Sequence, residues 1–230
     1  NNLKEYIIPE VYKEFTDKYK NIIIMEDITG LTFKDIDKLS KNDKEEFANI
    51  YIKFGYLGLF FFSKINNDLH VGNLFFYKNE NSDIKYKLGI IDFGMCAFPS
   101  KNNQNIYWHL FYDIIYKKNY NLQFDEIIPK MLDNSNNFIK LNTFNKNKLI
   151  NSLILCTKNI NKPQDFLETA KNMSYILKKY KLQFSQELNQ LILGLGIVHN
   201  FCNYLTDDVI KIQNKILEDL TDINDMIELI

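Results

Sequence analysis

The sequence predicts an α+β fold that is mostly α, with one small β-hairpin set among helices. Three observations carry that reading. Residues 74–77 and 86–91 are apolar, aromatic and β-branched runs on either side of the polar turn 78–83, which is the pattern of a hairpin. Phe47, Ile50, Tyr51, Phe54, Leu57, Gly58 and Phe61 fall on one stripe of period 3.6, the mark of a long packed helix. Residues 121–230 read as successive helical blocks separated by Asn-rich turns.

Taken in order, residues 6–15 begin as a loop, because Pro9 disfavours an early helix. Residues 21–26 form a β-rich run that ends near Gly30 and are expected as a strand. Ser40 or Asn42, with Glu45 and Glu46 soon after, signals a helix start, and that helix is expected to reach about Phe62. Its end, 56–62, is apolar almost all round and predicts burial on several sides. After the hairpin, 95–100 leaves a short segment before a polar turn at 101–105. Residues 106–116 return to helical spacing, with Trp108, Phe111, Tyr112 and Ile115 as core candidates. Further helices are expected at about 124–133, 144–158, 163–180, 185–205 and 207–229, with 133–137 as a turn. Pro163 and the acids Asp207 and Asp208 suit helix starts. Gly194 and Gly196, inside an apolar helix, predict close helix packing.

Composition bounds the function. The 230 residues, 46% hydrophobic and 25% charged, suffice for a sizeable globular core. A net charge of −1 gives nucleic acid no electrostatic support as a partner. Every basic residue is Lys, so no arginine finger or Arg grip on a phosphorylated loop comes from this chain. Cys96, Cys156 and Cys202 are widely spaced in apolar runs and read as reduced thiols of an intracellular protein, cytoplasmic or organellar. No Cys-x-x-Cys or His-x-x-x-His spacing points to zinc. The apolar stretches fall short of the roughly 20 residues of a membrane span, and no signal-type segment occurs near the start.

Chemistry concentrates at the ends of the hairpin. Four residues separate Asp68 from Asn73, and Asp92 opens an Asp-Phe-Gly triplet. Phosphoryl transfer by a kinase requires an acid beside the attacking hydroxyl and, one loop turn on, an Asn facing a Mg²⁺ on the nucleotide phosphates. A second acid must take the metal that bridges the outer phosphates. Asp68, Asn73 and Asp92 meet those needs as catalytic groups, with Asn73 and Asp92 as metal ligands, and the hairpin would hold their loops side by side. ATP and Mg²⁺ are the expected cofactors, and a protein-kinase-like C-terminal lobe is the expected fold. The run 21–26 would lead into a hinge where adenine bonds the backbone at Glu26, Asp27 and Ile28, with Met25 limiting the pocket. The same run also fits an ordinary edge strand. His70 reads either as a second acid/base or phosphate contact, or as a packing residue bonded to the backbone near Asp-Phe-Gly. Asp113, in an apolar helix where a charge is costly unless paired, is a candidate brace for the catalytic loop, or simply faces solvent.

The segments Ile8-Pro9-Glu10-Val11-Tyr12, Ile24-Met25-Glu26-Asp27-Ile28-Thr29-Gly30, Asn66 to Asn73 and Ile91-Asp92-Phe93-Gly94-Met95 resemble the UbiB/aarF-domain atypical kinase family over residues 7–98. The family's catalytic loop reads His-Ala-Asp-Pro-His-Pro-Gly-Asn. Asn66 stands here for its first His, and Leu69 and Val71 for its prolines, so the loop is less rigid than the family pattern makes it. The loop is also similar to those of aminoglycoside phosphotransferase and choline kinase relatives, which phosphorylate small molecules. The resemblance implies Mg-dependent phosphoryl transfer or ATP hydrolysis, with a small molecule, a lipid or a protein as acceptor and peripheral membrane contact open. A small-molecule phosphotransferase and a nucleotide-binding pseudokinase scaffold are the alternatives. Residues 1–21 contain no Gly for a phosphate-covering loop, so the N-terminal lobe is expected to be largely absent. The expected division is 1–30 as the end of that lobe and the hinge, 31–120 as the lobe core with the catalytic loop, and 121–230 as its helical remainder.

Overall fold

Short strands alternate with helices in the first half of the chain, and the described residues from 124 onward are mostly helical. The computed structural model describes residues 3–19, 21–117, 124–158 and 163–227, and of 101–102, 113–115, 163–166 and 222–227 the backbone alone. The order is β1 (Tyr6–Ile7), α1 (Lys13–Thr16), a 3₁₀ turn (Phe33–Lys38), α2 (Lys41–Phe60), β2 (Ile65–Asn66), a 3₁₀ turn (Val71–Asn73), β3 (Leu74–Lys78), β4 (Tyr86–Ile90), β5 (Cys96–Ala97) and α3 (Lys101–Trp108). A wider π-type stretch, His109–Tyr116, continues α3. Then come α4 (Phe124–Lys130), α5 (Ser135–Ile139), α6 (Thr143–Lys158), α7 (Pro163–Lys179), α8 (Gln186–Leu205) and α9 (Val209–Ile227). The molecule is thus mostly helical with a small sheet, an α+β arrangement as the sequence predicts. The hairpin β3–β4 supplies two strands of a sheet of order β1-β4-β3, with β4 central and β1 parallel to it; β2 and β5 form a separate antiparallel pair.

Helix α2 is the axis of the core. Phe47, Tyr51, Ile52, Tyr56 and Leu59 are fully buried, which its apolar C-terminal half anticipates. It packs along α8, α9 and the hairpin: Phe47 meets the Phe76 ring edge-on at 5.0 Å, and Tyr51 meets Phe201 at 5.5 Å. Its start is a capping box in which Ser40 accepts from the Asp43 N–H and Asp43 accepts from the Ser40 N–H. Asp43 also accepts from the Tyr86 hydroxyl at 2.7 Å and the Lys78 ammonium at 3.0 Å. Burial alone would raise its carboxyl pKa, but the bonds from Tyr86, Lys78 and Ser40 outweigh burial and hold it well below the usual carboxylate range. One buried carboxylate therefore pins the helix start to the turn end of the hairpin, where Lys78 and Tyr86 face each other.

Several expectations are corrected. Residues 21–26 are not a regular strand: Met25 makes an isolated bridge to Val11, supported by bonds from the Tyr12 N–H to the Ile24 carbonyl and from the Glu26 N–H to the Glu10 carbonyl. The Ile side chains have no second layer to pack on, and Ile23 is 68% exposed. The acid of the α2 capping box is Asp43, because N3 is the position that reaches back to the cap; Glu45 and Glu46 lie beyond it. Residues 101–105 are helix, not turn, because the Ser100 hydroxyl caps α3 by accepting from the Asn103 N–H. Likewise 135–139 forms α5, with Phe138 buried as its anchor. Gly194 and Gly196 do mark close packing, against Asn67 and Leu167 respectively. All three cysteines are free, and no helix among the described residues is long and apolar enough to cross a membrane.

His199 of α8 is buried against Tyr56, whose hydroxyl lies 3.3 Å from Nε2. Burial lowers its pKa from 6.5 to about 4, so the fold favours the neutral ring. Between those values the unfolded chain binds more protons, so this stability is complete above pH 6.5 and is lost as pH falls toward 4. Urea unfolding should show this loss as on the order of 3 kcal/mol between neutral and acid pH. In His199→Gln the loss should shrink by most of that amount; an unchanged pH profile would refute this role for the buried ring.

Candidate functional site

Two loops meet at the mouth of the hairpin. The first, 67–73, runs from β2 to β3; the second, 91–95, runs from β4 to β5. Because β3 pairs with β4 and β2 pairs with β5, each loop is clamped to the other at both ends. At one end the Ile91 N–H donates to the Asn73 carbonyl at 3.0 Å, and at the other the Asn67 N–H donates to the Met95 carbonyl at 2.8 Å. Asp68 and Asn73 lie on the first loop and Asp92 on the second, so the structure brings together the residues that the spacing singled out.

Hydrogen bonds set each side chain. Asn73 is only 7% exposed, and its Nδ2 donates to the Asp68 carbonyl at 3.0 Å, leaving Oδ1 for another partner. The Asp68 carbonyl also accepts from the His70 N–H at 2.8 Å, which curls the loop so that the Asp68 carboxylate, 33% exposed, reaches solvent. Tyr51 of α2 donates its hydroxyl to the Leu69 carbonyl, tying the loop to the core helix. Asp92 has φ 64°, a left-handed conformation uncommon for a residue with a Cβ, and its Oδ1 accepts from the Gly94 N–H at 2.9 Å. Non-glycine residues held in that region cost on the order of 1–3 kcal/mol and cluster at functional sites.

Of the two readings of His70, the structure departs from the packing one. Its Nδ1 accepts from the Gly72 N–H at 3.1 Å, capping the turn Val71–Asn73, and its Nε2 lies 3.7 Å from Asp68 Oδ2. Among the described residues no hydrogen bond joins its ring to the backbone near Asp-Phe-Gly, because the tight turn two residues on takes Nδ1. At 52% exposed it faces the same solvent as Asp68. The Asp113 side chain lies outside the described residues. The hinge candidates reach the hairpin from another side. Ile28 is buried against Gly89 of β4, while Glu26 and Asp27 are close enough to raise the Tyr77 pKa, after burial as the larger cause. Among the described residues no hydrogen bond joins Met25, Glu26, Asp27 or Ile28 to either loop.

Sequence reasoning missed the supports. Asn66, 5% exposed, donates from Nδ2 to the Asp92 carbonyl at 2.8 Å and accepts at Oδ1 from the Asp68 N–H at 2.9 Å. Nothing local signals this, since the partners come from both loops. Gly194 lets the first loop lie against α8: a Cβ there would stand 2.7 Å from Asn67 Oδ1. Gly58 does the same for the approach to β2. The Lys64 N–H donates to its carbonyl at 3.0 Å, Ser63 turns the chain at φ 48°, and a Cβ on Gly58 would stand 2.5 Å from the Lys64 carbonyl oxygen.

The donors that Asn73 and Asp92 offer are oxygens, which suit a hard cation such as Mg²⁺. Among the described residues no group of three or more His, Cys, Asp or Glu side chains could hold a metal unaided. A cation bound by Asn73 and Asp92 would therefore complete its shell with waters and phosphate oxygens, as Mg²⁺ does at nucleotide sites.

A family model described as the ABC1 atypical kinase-like domain matches residues 1–125. A probable protein kinase UbiB of Glaesserella parasuis serovar 5 (strain SH0165) is 32% identical over 106 residues, which is 45% of this chain and 18% of that protein. A relative of the same name from Actinobacillus pleuropneumoniae serotype 5b (strain L20) is 30% identical over an equal share. The match thus spans less than a fifth of the length of these curated relatives.

Two glycines three residues apart on α2 test the packing behind the first loop. At Gly55 a Cβ meets nothing closer than 3.6 Å, so Gly55→Ala should be neutral or stabilise by about 0.5–1 kcal/mol through helix propensity. Gly58→Ala drives a methyl into a backbone carbonyl and should destabilise by about 1–3 kcal/mol. Thermal melts of both variants decide; shifts of the same sign and size would contradict the tight approach of Lys64.

Proposed function

Because the chain belongs to the ABC1 atypical kinase-like family, we propose that it carries the catalytic-loop and metal-loop part of a nucleotide site for Mg-dependent phosphoryl transfer or ATP hydrolysis. One observation supports this reading above the others: two strand pairs clamp the Asp68–Asn73 loop to the Asp92 loop, and both metal-ligand candidates keep an oxygen for a further partner. When bound, Mg-ATP supplies the transferable phosphoryl group and a metal charge that offsets the negative charge developing on it.

The residues of this chain divide the work. Asn73 Oδ1 and the Asp92 carboxylate hold the cation, and the bonds at Asn73 Nδ2 and Asp92 Oδ1 keep those oxygens from swinging away. Asp68, open to solvent beside them, orients the attacking hydroxyl or water and accepts its proton, a role worth typically about 10²–10⁴ in rate. His70 Nε2 stands 3.7 Å from the Asp68 carboxylate and flanks it on the side open to solvent. Met25 to Ile28 receive the adenine. The acceptor is a hydroxyl-bearing small molecule, lipid or protein, or water.

Titration of the full-length protein with ATP at fixed Mg²⁺ tests this. Wild type should bind and turn over ATP. Asp92→Ala should weaken Mg-ATP binding at least about tenfold, whereas Asp68→Asn should leave binding within a few-fold and lower turnover by about 10²–10⁴. Binding that is indifferent to Asp92→Ala, or turnover that is indifferent to Asp68→Asn, would overturn the assignment.

A further inference from the structure

We propose that Asn66 is the positioning residue that sets the Asp68 and Asp92 loops relative to each other; the consequence for nucleotide binding rests on the function proposed above. Its backbone is fixed in the β2–β5 pair, opposite Cys96. From that anchor one amide spans both loops. Nδ2 donates to the carbonyl of Asp92, and Oδ1 accepts from the N–H of Asp68.

The chemistry leaves little choice of side chain. A carbonyl on one side requires a donor, and an N–H on the other requires an acceptor, so the amide has a single workable orientation; flipped, it would set oxygen against oxygen. Aspartate keeps the acceptor and loses the donor. Leucine, of nearly the same shape, offers neither. Glutamine is one methylene too long for a site this closely packed. The bond to the Asp92 carbonyl also lies at the residue with φ 64°, where surrounding contacts must hold a conformation the chain would otherwise leave. Asn66 thus acts on the backbone of Asp92, from which the metal-side carboxylate projects, and on the backbone of Asp68 at once.

Asn66→Asp and Asn66→Leu separate its two bonds. In the metal-free protein, amide hydrogen exchange at Asp68 should stay slow in N66D and accelerate at least about tenfold in N66L, in keeping with the loss of one buried bond. Both variants should weaken Mg-ATP binding by about 10–100-fold, the usual effect of removing an outer partner of a metal ligand, with melting temperatures that do not account for it. Slow Asp68 exchange in N66L, or Mg-ATP affinity unchanged in N66D, would overturn the proposal. If N66L fails to fold, N66D alone decides, through Asp68 protection retained together with affinity lost. If wild type binds no Mg-ATP, the nucleotide reading fails, while the exchange contrast still decides whether Asn66 links the loops.

Discussion

Everything at the site depends on a double clamp. Hydrogen bonds between β3 and β4, and between β2 and β5, hold both ends of one loop against both ends of another. A loop tethered at one end could drift by ångströms; tethered at both, it has only its internal turns to adjust. Those turns are closed from within by the Asn73 amide, the His70 ring and the Asp92 carboxylate, each bonded to its own loop. The result is two acids and an amide held in relation by backbone pairing at the loop ends and, between those ends, by the Asn66 amide that bonds both loops.

The clamp needs a rigid backing, and helix α2 provides it. The Asp43 carboxylate holds the helix start to the turn end of the hairpin, and the Tyr51 hydroxyl holds its middle to the first loop. At the other end Gly58 lets the returning chain cross the helix closely enough to enter β2. Helix α8 closes the remaining side, approaching Asn67 at Gly194, where any larger residue would push the loop outward. The buried pair Tyr56 and His199 joins α2 to α8. Packing in the core is therefore transmitted to the loops by a few short, directional contacts.

Much of this was legible in the sequence, and what was not has identifiable causes. The hairpin was, because its runs and its polar turn are local signals. So was the juxtaposition of the loops that carry Asp68, Asn73 and Asp92, because the hairpin that joins them is itself a local signal. Helix α2 was legible in its extent and in Ser40, one of its two cap candidates, but not in the acid of its capping box, which is Asp43. Residues 21–26 misled, since a β-branched run reads as a strand whether or not a neighbouring layer exists to cover it. Helix α5 and the start of α3 were hidden by Asn and Lys, which favour turns locally but are overridden by a buried Phe138 in one case and the Ser100 cap in the other. The strands β2 and β5 carry no local pattern at two residues each; distant pairing creates them. For the same reason Asn66 was legible only as the residue standing where the family pattern has a His, and its two bonds were not.

The central claim is that the paired loops form one cation site facing a nucleotide. Manganese in place of magnesium, with ATP, would test it by paramagnetic broadening of backbone amide signals. The account predicts that Asn73 and the 92–94 amides broaden first, at sub-stoichiometric metal, with Asp68 close behind and α6 and α9 unaffected. Broadening that starts on surface carboxylates such as Glu80 or Asp207, and spares Asn73 and Asp92, would contradict it.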